Sequence, residues 1–83
     1  MAKIHTHYDT LKVTRDAPDV VIRASCKALM QLYHPENFAG REYEAVEIVR
    51  TIKESYDVLI NPEARAEYDR WIEQQLGVNF LAN

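Results

Sequence analysis

A single cysteine, two glycines and three prolines stand among the 83 residues of this chain, and each scarcity removes a class of protein. With Cys26 alone, neither an intramolecular disulfide nor a four-cysteine zinc site can form, which excludes a stapled secreted mini-fold. So little glycine and proline, with no Asn-Gly or Asp-Gly pair between alternating apolar runs, leaves scant material for a strand-and-turn fold. The chain therefore reads as all-α. Nowhere do about 18 apolar residues run together, and the opening Met1-Ala-Lys-Ile-His-Thr-His has no apolar signal stretch, a pattern expected of a cytoplasmic protein with no membrane attachment. A basic surplus is missing as well. Ten Lys and Arg against thirteen Asp and Glu give a net charge of -3, which argues against nucleic acid as the main partner. There is no Gly-rich phosphate loop and no nucleophile beside a base, so neither an enzyme nor a cofactor site is expected.

What is present suits one small domain spanning residues 1–83, because 47% hydrophobic and 28% charged content is ordinary for a globular chain of this length. A domain this size has a stability of only about 4–12 kcal/mol. Four helical segments fit between Pro18, Pro35, Gly40, Pro62 and Gly77. The first is short, with Tyr8 and Leu11 on one side and Val13 closing it. The second spans about residues 18 to 33: Asp16 is the expected N-cap, Pro18 lies in the first turn, and Ile22, Ser25, Cys26, Leu29 and Tyr33 form one face. It stops near His34, because a residue before proline avoids the α region. The third carries the longest apolar stripe, Ala45, Ile48, Val49, Ile52, Ser55, Tyr56 and Leu59, and should pack antiparallel on the second across a short connection. Asn61-Pro62-Glu63 opens a fourth through about Leu76, with Ala64, Tyr68, Ile72 and Leu76 facing inward and Trp71 beside them.

Charge is unevenly spread: the first two segments carry +1 each, the last two -2 each, and Glu36 stands alone between them. Arg23 and Lys27, four apart, share one face of the second helix. Taken alone, the pair reads equally as a solvated face, and His34-Pro35 reads more simply as a helix stop with a histidine at the negative end of the helix dipole. Cys26 reads as a small buried residue, since no histidine or lysine lies one turn away to activate it. His5 and His7 lack a third metal ligand at a known spacing and read as surface histidines in a frayed terminus. Tyr33, Tyr56 and Tyr68 read as core aromatics with wet hydroxyls. Beyond Trp71, the residues Ile72, Leu76, Val78, Phe80 and Leu81 exceed what such a core needs, and either fold back on it or form a partner surface.

The motifs together resemble a known family, the J domains of DnaJ-type co-chaperones, over about residues 7 to 71. Tyr8-Asp9-Thr10-Leu11-Lys12-Val13 is similar to its opening Y-x-x-L-G-V, and Ile22-Arg23, Lys27, Leu29 and Tyr33-His34-Pro35 to its second helix. Ile52-Lys53-Glu54-Ser55-Tyr56-Asp57-Val58-Leu59 resembles the third, and Arg65-Ala66-Glu67-Tyr68-Asp69 the R-x-x-Y-D of the fourth. The resemblance implies two long antiparallel helices with two short ones, and a co-chaperone that stimulates ATP hydrolysis by a DnaK-type chaperone. It assigns the contact to His34, Pro35 and Glu36 after helix two and to the basic face carrying Arg23 and Lys27. The chain departs from the family at four places. Glu36 replaces an aspartate, which moves the carboxylate by about 1.5 Å and weakens a hydrogen bond built for a shorter reach. Ala24, Ala28 and Leu32 stand where basic residues are common, which predicts weaker electrostatic steering. Lys12 replaces a frequent glycine, and Cys26 a frequent aromatic. A second reading keeps the same scaffold as a degenerate J-like module that binds a partner or a second copy through its apolar tail, residues 72–83.

Overall fold

The computed structural model describes the backbone of residues 4–81 and the side chains of residues 4–76. Four helices follow in order: α1 (His7–Thr10), α2 (Asp19–Leu32), α3 (Glu42–Leu59) and α4 (Pro62–Leu81), with a 3₁₀ turn at Pro35–Phe38 between α2 and α3. The all-helical expectation holds, and α2 and α3 run antiparallel. Arg23 near the start of α2 reaches the Tyr56 hydroxyl near the end of α3 at 3.4 Å, while Leu29 and Tyr33 share a crevice with Ile48 and Ile52.

One core joins all four helices: Tyr8, Leu11, Ala17, Ile22, Cys26, Ile52, Leu59 and Ile72 are buried together. The period of about 3.6 residues places Ile22 and Cys26 of α2, and Ala45, Ile52, Ser55 and Leu59 of α3, on the facing stripes. Ser55 is the buried polar member, and its hydroxyl bonds to His7 Nδ1 at 2.8 Å.

Several local expectations change. Asp16 does not cap α2: its carboxylate accepts from the Thr14 hydroxyl at 2.6 Å, and Pro18 occupies the N-cap position with an extended backbone and no side-chain cap. Proline fixes φ and its carbonyl takes the amides of Val21 and Ile22, so the helix begins one residue later than the spacing suggests. Asn61 does cap α4, accepting from the amides of Glu63 and Ala64 at 3.0 Å each. The fourth helix is not short: it runs 20 residues to Leu81. Ile72 is fully buried in the core, whereas Leu76, expected to face inward, is exposed. The side chains of Val78, Phe80 and Leu81, and residues 82–83, lie outside the described residues, and with them most of the apolar tail.

Lys12 has φ +59°, the left-handed region that costs a side-chain-bearing residue about 1–2 kcal/mol. That conformation is the physical reason a glycine suits this turn. Lys12 holds it because its neighbours do not yield: Lys12 N–H donates to Asp9 O and Val13 N–H to Tyr8 O, turning the chain sharply after α1. The terminus is not frayed at α1. Thr6 and Asp9 form a reciprocal capping box, the Thr6 hydroxyl accepting from Asp9 N–H and the Asp9 carboxylate from Thr6 N–H.

Candidate functional site

The residues singled out for partner contact lie on α2 and the turn that follows it. Helix α2 ends because Pro35 has no N–H to continue the ladder and its ring forces His34 out of the helical region, to φ -63° and ψ 137°. The open carbonyls at that end are taken by Asn37, whose side-chain amide donates to Gln31 O at 3.1 Å and Leu32 O at 3.4 Å. Asn37 therefore does the capping that a histidine at this place would be expected to do. Its sequence signal was weak, an amide side chain two residues past a proline that must fold back over the helix end.

His34 is left with a smaller task. Its Nδ1 accepts the Glu36 N–H at 3.3 Å, opening the 3₁₀ turn, and its side chain is 59% exposed. With Nδ1 accepting, the neutral ring carries its proton on Nε2, which has no partner within the described residues. The Glu36 carboxylate lies 3.9 Å from Nδ1 and is 80% exposed. The turn itself is fastened from below: Tyr33 and Phe38 rings approach to 5.7 Å and the Arg41 guanidinium lies 5.6 Å over Phe38. Gly40, with φ +83°, reverses the chain into α3.

Arg23, Lys27 and His34 converge on one shallow groove of about 460 Å³ between α2 and α3, floored by Cys26, Met30 and Tyr56. Pro35 and Glu36 sit in the adjoining turn and do not line it. Arg23 is steadied over the groove by its hydrogen bond to the Tyr56 hydroxyl. Neither Arg23 nor Lys27 forms an ion pair within the described residues, so both charges are available to a partner. Burial pushes the Cys26 thiol up from its ordinary range, with the Asp57 charge acting in the same direction, and the sulfur packs 3.8 Å from Met30 Sδ. It is groove floor, not nucleophile.

A second cluster, on the far side of α3, was not legible as such. His7, expected at the surface, is half-buried: its ring lies 4.5 Å from the Tyr68 ring, its Nδ1 meets Ser55, and its backbone N–H donates to the Tyr68 hydroxyl at 2.9 Å. That hydroxyl is thus bonded within the protein. Next to it, the Tyr8 hydroxyl donates to Asp69 at 2.5 Å and accepts from Arg65 Nε at 3.1 Å. Arg65, Tyr68 and Asp69 therefore fasten α1 to α4, a structural task, and none of the three lines the groove. Among the described residues no three His, Cys, Asp or Glu side chains come together to hold a metal ion, and no helix is long and apolar enough to cross a membrane.

Burial holds the His7 pKa below its ordinary value of about 6.5, against a smaller upward pull from Glu54. A histidine kept neutral in the fold binds fewer protons than the same residue unfolded, so its contribution is complete above about pH 6.5 and is lost as pH falls from there through the lowered folded pKa. The melting temperature of the wild type should drop more steeply between about pH 7 and 5 than that of His7→Gln. Parallel curves would show that His7 titrates as it does in the unfolded chain.

Comparison with known proteins matches this arrangement. The DnaJ domain family matches residues 6–69. The chain is 40% identical over 65 residues to the chaperone protein DnaJ of Thermosipho africanus, a match covering 78% of this chain and 17% of that protein. It is 39% identical over 71 residues to the chaperone protein DnaJ of Xanthobacter autotrophicus, covering 86% of this chain and 18% of the relative. The same protein of Zymomonas mobilis is 40% identical over 65 residues. The chain thus spans less than a fifth of the length of these curated relatives. With the matched stretch running from the Thr6 cap to Asp69, and the four helices in the order that stretch requires, the chain belongs to the DnaJ domain family.

Proposed function

We propose that this chain, through a J-like core at residues 7–71, acts in the cytoplasm as a co-chaperone module that docks on the ATPase domain of a DnaK-type chaperone and stimulates its ATP hydrolysis. One observation carries the reading: Arg23, Lys27 and His34 share a groove, and among the described residues they are tied there only by two long, exposed hydrogen bonds, Arg23 to the Tyr56 hydroxyl and Glu36 N–H to His34 Nδ1. Asn37 caps the helix, Tyr33 and Phe38 hold the turn, and the exposed imidazole is left to a partner. In the docked state Arg23 and Lys27 meet carboxylates of the chaperone and orient the module, while His34 Nε2–H and the Glu36 carboxylate favour the hydrolysis-competent arrangement. The catalysis belongs to the chaperone.

Single-turnover ATP hydrolysis by DnaK-type chaperones, with and without this chain, tests the reading. The wild type should accelerate hydrolysis and His34→Gln should not, with both proteins melting within a degree or two of each other because His34 is exposed and its one internal hydrogen bond, from Glu36 N–H, is a long one at the surface. Equal acceleration by the two proteins would remove His34 from the mechanism. Acceleration by Glu36→Asp alone would mean that the scaffold serves the second reading, a J-like interaction module that does not stimulate the ATPase.

A further inference from the structure

Helix α2 presents to solvent a face unlike that of a purely electrostatic docking element. Ile22, Cys26, Leu29 and Tyr33 turn toward the core, and at about 100° per residue Val20, Val21, Ala24, Ala28 and Leu32 fall together on the opposite side, with Gln31 the polar residue among them. All five are exposed, Val20 by 69% and Leu32 by 59%. Arg23 and Lys27 border this apolar stripe on the side of the groove, so stripe and groove form one continuous surface along the helix. Arg23 and Lys27 are the charged residues of that groove, Asp19 at the start of the helix being already met by Arg65 at 3.7 Å, so attraction at long range rests on two cations. Apolar side chains exposed over four turns of a small domain, where each weakens solubility, mark a contact surface rather than a solvated face.

Resting on the function proposed above, we infer that the ATPase domain engaged by this chain covers the stripe with an apolar ridge, flanked on one side by carboxylates for Arg23 and Lys27. Docking then draws its affinity from apolar burial and its register from two charges, and this chain selects chaperones by that ridge. A second copy is the poorer occupant. An antiparallel two-fold pairing of α2 faces sets the Arg23 and Lys27 flank against the same flank of the other copy, and in either direction a single helix pair buries less than stable dimers need.

Binding of the full chain to ATP-loaded DnaK-type chaperones should be measured at about 50 and about 300 mM salt, with the wild type, Val21→Gln/Leu32→Gln and Arg23→Gln/Lys27→Gln. Glutamine keeps helix propensity, so unchanged melting temperatures establish that the fold is intact. The stripe variant should bind about tenfold or more weakly at both salt concentrations, and the wild type should lose no more than about threefold between them. Stripe-variant binding equal to wild type, with a steep salt response lost only in the charge variant, would overturn the inference while leaving the function standing. No binding by the wild type would overturn both. A concentration-dependent dimer in sedimentation that the stripe variant dissolves would assign the stripe to a second copy and overturn the inference.

Discussion

Arg65→Ala should cost about 3 kcal/mol of unfolding free energy, a large share of what a chain of this length possesses. The guanidinium donates through Nε to the Tyr8 hydroxyl at 3.1 Å and through Nη2 to the carbonyls of Arg15 at 3.0 Å and Ala17 at 2.8 Å. It also lies 5.4 Å over the Tyr8 ring, and Nη1 stands 3.7 Å from Asp19. One side chain from α4 thus holds α1, the segment leading into α2, and the first residue of α2. Removing it leaves the buried Ala17 without its carbonyl's donor and Tyr8 without a partner on one side. Lysine has one compact charge where three acceptors lie in different directions, so Arg65→Lys should recover less than half of the loss. Denaturant unfolding checks both values, with an unchanged slope showing that only stability has moved. A loss below about 1 kcal/mol would show that water satisfies these groups well enough on its own.

The second large effect concerns the boundary of the core. Ile72 is fully buried against the cluster that includes Tyr8, Ile22 and Leu59, whereas Leu76, one turn on, is 42% exposed. Ile72→Ala should lose about 2–5 kcal/mol through lost burial and a cavity, and Leu76→Ala less than about 1. At about 4–8 °C per kcal/mol for a domain of this size, the first variant should melt at least about 8 °C lower and the second within a few degrees of wild type. Similar losses at both positions would mean that α4 packs along its length, which the exposure of Leu76 contradicts.

These two residues also show where the sequence could be read and where it could not. Ile72 lies four residues after Tyr68 on a helix whose start is announced locally by Asn61-Pro62, so its inward direction follows from spacing alone. Leu76 has the same spacing, and it misleads because it only borders an open crevice with Ile4, Val13 and Ile72, which leaves much of its side chain in solvent. Asp16 misleads for a different reason: an acidic residue ahead of a proline resembles a cap, but the rigid turn at Ala17-Pro18 puts its carboxylate out of reach of the helix amides. His7 could not be placed at all from its neighbours, since Ser55 and Tyr68 are 48 and 61 residues away. The same holds for Arg65, whose motif was visible while its purpose was not. For the groove, spacing set Arg23 and Lys27 on one side of α2 and the proline placed His34 at its end. That Asn37 and not His34 would cap the end of α2 required the fold of the turn.

A consequence joins the two clusters. Arg65 meets Asp19 at the start of α2, and His34 with Glu36 stands past its other end, so the helix carrying Arg23 and Lys27 is fixed by α4 at one end and by the 3₁₀ turn at the other. Variants in the α1–α4 cluster should therefore lower stimulation only as far as they lower the folded fraction. His34 and the α2 face should act on stimulation without affecting stability.

The central claim is that α2 and the following turn are where the chaperone lands. Backbone amide shifts of the isotope-labelled chain, titrated with an unlabelled ATP-loaded DnaK-type chaperone, test it most directly. The account predicts that shifts and line broadening concentrate at residues 20–37, including Val21, Arg23, Lys27, Leu32 and His34, while the amides of Thr51, Trp71 and Glu73 stay in place. Perturbation centred on α4, with residues 20–37 unmoved, would contradict it.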